Sequence, residues 1–282
     1  MIFCALTAFC CFEAIHGQKD YYAEAEALFQ SENYYDAINA YKKAYTKVKE
    51  ADIKTRILFK IGECYRLIAD YPNAEEWYSK AEKAGYPDKI LYLRYGEVLH
   101  LQGKYEEAHA MISRYLEASP DDTIARLRLK STEMAMKEKA KGAKYIIVNQ
   151  QQINTKWEDF ALNVYDLKRK IFYFTSTREG STGNMVDPRT GENFSDIYFT
   201  QLDKNGRWST PQPLPPEINT QHNEGTVTFD PDGKTMYFTR CSYVKKEKMG
   251  CKIFFSQLKG KVWGLAEILD IEPGYHDTAV LA

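Results

Sequence analysis

The sequence predicts an α+β multidomain chain: a superhelix of paired helices, followed by stacked units of short antiparallel strands. Three observations lead there. A segment with alanine and tyrosine at fixed places recurs three times between Glu32 and Tyr115. Near Ala143 the apolar spacing changes from helical to alternating. Two strand–turn–strand units of matching order then follow, Asp159 to Arg178 and Glu224 to Ser242. The length of 282 residues leaves room for two domains that each bury a core. A hydrophobic content of 44% with 27% charged residues is that of an ordinary globular chain.

Residues Ile2 to Phe12 form an apolar run of the length of a secretory signal core, too short to span a bilayer and without a basic start. Gly17 before Gln18 supplies a small residue for cleavage, so residues 1–17 read as a signal peptide. A lipid anchor on Cys10 or Cys11 and an ordinary first helix are the alternatives. Export is the expectation.

The three repeated segments are Glu32 to Ala44, Asp70 to Ala81 and Gly103 to Tyr115. With Ala37, Ala74 and Ala108 aligned, Tyr34, Tyr71 and Tyr105 stand three residues earlier each time. The second interval is 34 residues and the first 37. Ahead of the second and third segments lie Leu58, Ile61, Gly62 and Tyr65, then Tyr92, Tyr95, Gly96 and Leu99. Each glycine removes a side chain where two helices cross closely. On these residues, 18–120 resemble three tetratricopeptide repeats. The first repeat departs at Glu24 and Ala25, as an end repeat without an outer neighbour does. Residues 121–142 read as a capping helix and linker, with Asp121 or Asp122 at its amino end and basic residues toward the other.

The resemblance implies a concave face, made by the first helix of each pair, that holds a protein partner. Carried over by position, it comprises Tyr22, Glu26 and Phe29, then Phe59, Glu63 and Arg66, then Leu93, Glu97 and His100. The Lys/Asn clamp with which some relatives grip an acidic carboxyl-terminal peptide is replaced by aromatic and glutamate residues. The three glutamates in register either suit a basic partner or form a solvated face.

In the second half, each unit runs from an apolar strand through a turn into a strand ending in aromatic-Thr, Ile171 to Thr175 and Met236 to Thr239. A further strand follows, Ser195 to Leu202 and Cys251 to Leu258, and then Trp208 or Trp263. Asp230, Asp232 and Gly233 make a tight reversal and lack the full run of a calcium loop. The stretch from Phe229 to Thr239 resembles the TolB-like, WD40-like propeller repeat. Residues 143–282 are thus similar to β-propeller blades, two plus the start of a third at Tyr275 to Ala282, an incomplete propeller that marks the chain as a fragment or truncated product. The loop from Glu179 to Asn193 is a candidate contact surface. Cys241 ends one strand and Cys251 begins the next, either as a disulfide or as two unpaired thiols. Cys64 reads as a buried small residue.

The near balance of 38 basic and 39 acidic side chains argues against nucleic acid as a partner. There is no nucleophile elbow, P-loop, HExxH or GxGxxG, and no Cys/His spacing for zinc, so no catalytic residue, metal or cofactor is assigned. His222 and Glu224, a conceivable acid–base pair, read as surface residues beside a turn. The whole arrangement resembles a Bacteroidetes envelope family in which tetratricopeptide repeats and TolB-like blades precede an OmpA-like, peptidoglycan-binding domain. One member belongs to the type IX secretion machinery. What that resemblance implies is a non-enzymatic periplasmic interaction scaffold associated with the outer membrane, binding protein through the helical groove and peptidoglycan through a further domain. The alternative is a sensor, or an accessory to a hydrolase, whose propeller binds glycan or peptide.

Overall fold

The computed structural model describes residues 20–142, 145–166, 168–183, 185–242 and 250–270. The expected signal peptide, its cysteines and the start of a third blade lie outside these residues. Among the described residues the first half has seven helices: α1 (Tyr21–Gln30), α2 (Tyr34–Lys47), α3 (Ala51–Leu67), α4 (Tyr71–Lys83), α5 (Ile90–Leu101), α6 (Tyr105–Ala118) and α7 (Thr123–Ala140). Carboxylates start three of them. Asp20 accepts from the amides of Tyr22 and Ala23, Asp70 from Asn73, and Asp122, not Asp121, from Ala125.

Successive helices pack through small residues. Ala25, Ala37, Ala44, Ile57, Ile61 and Cys64 form one buried cluster with Tyr41, and Ala74, Ala81, Tyr78 and Leu91 belong to the next. The two helical glycines mark the closest crossings. A Cβ on Gly62 would stand 2.7 Å from the Tyr78 ring, and one on Gly96 would stand 2.6 Å from Ile112 Cγ1. These distances are below any real carbon contact, so the helix pairs of the second and third repeats are spaced for glycine.

The described residues of the second half form two antiparallel sheets. The first runs in the order β1 (Asp159–Asp166), β2 (Ile171–Ser176), β3 (Asp196–Gln201) and β4 (Gln212–Pro213). The second runs β5 (Asn223–Phe229), β6 (Thr235–Ser242), β7 (Gly250–Lys259) and β8 (Val262–Trp263), with β9 (Glu267–Ile268) also on β7. Strand β5 lies against the first sheet, and one core joins the two through Tyr173, Ile197, Val227, Met236, Phe238 and Trp263. The Trp263 indole N–H donates to the Tyr173 hydroxyl across that core at 3.1 Å. In the β5–β6 reversal Gly233 has φ +69°, and the Asp230 and Asp232 carboxylates accept from the backbone amides of the turn.

The two sheets repeat each other in detail. Ile153-Asn154-Thr155 and Ile218-Asn219-Thr220 stand 65 residues apart, each ahead of its first strand. Each first strand bulges at the same register, at Ala161 and Thr226, with φ of 53° and 52°. Thr155 donates its amide and hydroxyl to Asp159, as Thr220 does to Glu224. Arg178 then bonds Asp159 at 2.6 Å and the Ile153 carbonyl at 2.9 Å, while Arg240 bonds Glu224 at 2.6 Å and the Ile218 carbonyl at 2.7 Å. Each guanidinium also lies over two rings, Phe174 and Tyr198 or Phe238 and Phe254.

A difference ahead of the first strands breaks the symmetry. Asn219 clamps the first sheet, accepting from the Ile197 amide and donating to the Ile197 and Leu214 carbonyls. Asn154, at the same place before the first sheet, donates to Asn149.

Glu224 is fully buried among these bonds, which corrects its reading as a surface residue; the Arg240 guanidinium and the Thr220 amide and hydroxyl hold it inside. His222 is half-buried beside it. Cys241 and Cys251 are opposite residues of β6 and β7 and form a disulfide, which settles that alternative. Cys64 is a buried free cysteine. The loop from Glu179 to Asn193 touches the helical array, where the Tyr35 amide donates to the Pro188 carbonyl at 3.0 Å.

Candidate functional site

The inner face of the array is built on α1, α3, α5 and α7. Its glutamates are neither a bare acidic stripe nor a solvated face. Glu26 accepts from the Tyr41 hydroxyl and from Lys60 at 3.2 Å. Glu63 accepts from Tyr78 and, through both oxygens, from Arg66 at 3.0 and 2.9 Å. Glu97 accepts from Arg94 at 2.9 Å and from Arg128 at 3.1 Å. Charge-assisted bonds of this kind hold both partners in fixed rotamers.

A rule visible in the sequence underlies the first two sites. The tyrosine stands fifteen residues after its glutamate, 26 to 41 and 63 to 78, on the second helix of the same pair. Burial first, and then the neighbouring carboxylate, push the Tyr41 and Tyr78 hydroxyls far above the usual phenol range. Burial and Glu26 also push Tyr22 up to about 12. These phenols are fixed donors.

Of the nine positions expected on this face, the structure brings Glu26, Glu63, Arg66, Glu97 and His100 to its polar surface, with Tyr22 and Phe29 half-buried beside α2. Phe59 and Leu93 are corrections. Phe59 is buried, stacked on Tyr86 at 4.4 Å, and Leu93 is buried against Ile112 and Ala125. Both side chains turn to the adjacent helix, where apolar burial is favourable, and offer a partner no surface.

Sequence reasoning missed Lys60, Arg94 and Arg128. They occupy one register at 34-residue intervals, each three residues before the glutamate position of its own helix or its equivalent in α7. That spacing was available as a signal. Together with Arg66, His100, Leu101 and Thr132, Arg94 and Arg128 line a groove of about 260 Å³ between α3, α5 and α7. The Thr132 hydroxyl donates to the Arg128 carbonyl and so accepts from His100 Nδ1, which assigns the proton to that nitrogen and leaves Nε2 as the other polar edge. Helix α7 is therefore a wall of the groove as well as a cap. Among the described residues, no group of three or more His, Cys, Asp or Glu is placed to hold a metal ion.

Among the described residues, three consecutive helix pairs followed by α7, with a groove between α3, α5 and α7, define a helical-repeat interaction module. Residues 22–89 and 78–123 match the tetratricopeptide repeat family, whose domains are generally non-catalytic interaction modules. The human protein O-mannosyl-transferase TMTC2 is 27% identical over 94 residues, which are 33% of this chain and 11% of that protein. The chain thus spans about a tenth of the length of this curated relative. Similar solved structures include the UNC-45 chaperone, whose structure concerns molecular features critical for binding and folding muscle myosin, with a TM-score of 0.40 and 19% identity over 44% of this chain and 14% of that one. Another is the first TPR of Spaghetti (RPAP3), bound to the HSP90 peptide SRMEEVD, with a TM-score of 0.38 and 21% identity over 41% of this chain and 90% of that one.

Proposed function

We propose that this chain is a non-enzymatic protein–protein interaction scaffold whose helical array holds a segment of a partner along its inner face. The observation that carries the reading is the groove between α3, α5 and α7, whose polar side chains are already fixed by ion pairs while its mouth stays open. Preorganised side chains lose little freedom on binding. Photo-crosslinking tests it. A crosslinker at Ser131, inside the groove, yields a discrete adduct with one protein of the source cell, and one at Glu107, exposed on α6, does not. Equal labelling from both positions would remove the reading.

The strand region is, in this proposal, a stretch of β-propeller in which each of the two sheets is a blade. Its support is the 65-residue repeat together with what lies unpaired at either end. Phe160, Leu162 and Val164 of β1 are exposed, whereas Val227 of β5, the equivalent of Leu162, is buried between the sheets. At the far end Val262, Leu265 and Ile268 are exposed. The apolar run Tyr145 to Val148 is also exposed, and in the repeat it corresponds to residues 210–213, which supply the outer strand β4 to the sheet before them. Apolar faces of this size are partner surfaces.

Placement in the periplasm, in association with the outer membrane, is the finer part of the same proposal. The Cys241–Cys251 disulfide supports it, because disulfides persist in oxidising compartments. Links to peptidoglycan and to type IX secretion rest on the architecture this chain resembles. Thiol labelling of protein from fractionated cells tests the compartment: a protected Cys241 and Cys251 pair is expected, and labelling of both without reduction would count against export.

A further inference from the structure

The third helix pair departs from the first two at one place, and the departure gives the groove its charge. Glu26 and Glu63 each receive a tyrosine hydroxyl from fifteen residues on, but fifteen residues after Glu97 stands Ile112. The two Glu97 oxygens are taken instead by two guanidiniums, Arg94 from α5 and Arg128 from α7. Arg66, the third cation on this wall, spends two donors on Glu63. Three arginines therefore face two carboxylates, and the surplus positive charge sits on the pair that shares Glu97. Both members of that pair reach solvent, with 34% and 57% of their side-chain surface exposed.

Resting on the reading of this face as a partner site, we infer that the α5–α7 end of the groove binds an acidic side chain of an extended partner segment, its carboxylate bridging Arg94 and Arg128. A carboxylate presents two oxygens in a plane, the arrangement that matches a guanidinium fork. A single surplus charge matches a monoanion. A dianionic phosphate would meet the Glu97 carboxylate beneath the two arginines with roughly twice the repulsion. Leu101, which is 57% exposed, lines the same groove and gives an apolar residue next to the acid somewhere to rest.

The test uses the full chain and fluorescein-labelled twelve-residue peptides with a central Leu-Glu-Leu, followed by fluorescence anisotropy. Saturable binding is expected, weakened about tenfold or more when the peptide glutamate becomes glutamine and by a similar factor in Arg94→Gln and Arg128→Gln. Arg128→Lys keeps the charge without the fork and is expected to fall between. Circular dichroism checks that each variant folds, and the exposed Arg128 variants keep the test valid even if Arg94→Gln does not. Equal binding of the glutamine peptide, tighter binding of a lysine or phosphoserine peptide, or no binding at all would each overturn the inference. Its failure is distinguishable from failure of the scaffold reading: adducts at Ser131 without acidic-peptide binding discard only the partner class, whereas peptide binding with no Ser131 adduct discards the cellular partner.

Discussion

The helical array and the strand region are both built by repetition, yet they place charge differently. In the array the joints between helices are apolar and tight, with glycine against a ring or an isoleucine, while the ion pairs line an open face. In the strand region each repeat encloses an acid–arginine pair in its interior, Asp159 with Arg178 and Glu224 with Arg240. The array is therefore sensitive to added volume and tolerant of lost charge, and the strand region is sensitive to lost charge. Charge is free to serve recognition in the first and is committed to structure in the second.

The largest effect is expected where a buried pair is broken. Arg178→Ala strands Asp159 and also removes the bond to the Ile153 carbonyl, so the strand region should lose about 3–5 kcal/mol. Urea unfolding followed by the fluorescence of Trp157, Trp208 and Trp263 reads this loss. A cost near that of a surface ion pair would erase the contrast between the regions.

Asp159→Asn adds a pH dependence. Burial alone would raise the Asp159 pKa, but the bonds from Ser176, Arg178 and Thr155 outweigh it and hold the carboxyl below its usual range. A depressed carboxylate contributes stability above the unfolded-state pKa of about 4 and loses it as pH falls through the folded value. The wild-type advantage over Asp159→Asn, about 1.5–3 kcal/mol at pH 7, should shrink steadily between pH 5 and pH 3. A gap independent of pH would show that the carboxylate is not the group responsible.

In the array, Gly96→Leu should cost about 1–3 kcal/mol by forcing α5 and α6 apart, because even a Cβ meets Ile112 and the Ala108 carbonyl. Tyr78→Phe, which deletes one donor to Glu63 and leaves Arg66 in place, should cost only about 1 kcal/mol. Both are read as shifts of the helical transition in circular dichroism, and the reverse order would contradict the account of volume against charge. The smallest effect is Glu76→Gln on the exposed outer side of α4, where no resolvable change in the same transition is expected.

The sequence disclosed most where structure is local. The alanine and tyrosine register found the helix pairs, Gly62 and Gly96 found their crossings, and the Asp230 to Gly233 reversal is the turn expected. It disclosed less where a side chain's direction depends on its neighbour. Phe59 and Leu93 lie on the expected helices, but each is turned a fraction of the circumference into the core, a difference finer than a repeat pattern carried over by position. Glu224 looked exposed because a buried carboxylate needs a partner, and Arg240 comes sixteen residues later on the next strand. The cation register of Lys60, Arg94 and Arg128, the fifteen-residue Glu–Tyr spacing and the twin Ile-Asn-Thr motifs were all present to be read. The apolar positions set the fold, while these polar ones set the site and the sheet-to-sheet clamp.

The most direct test of the central claim is hydrogen exchange of the full chain, free and saturated with the protein captured at Ser131. Partner binding along the inner face predicts slowed exchange concentrated in α3, α5 and α7. Slowing confined to α2, α4 and α6, or to the two sheets, would contradict it.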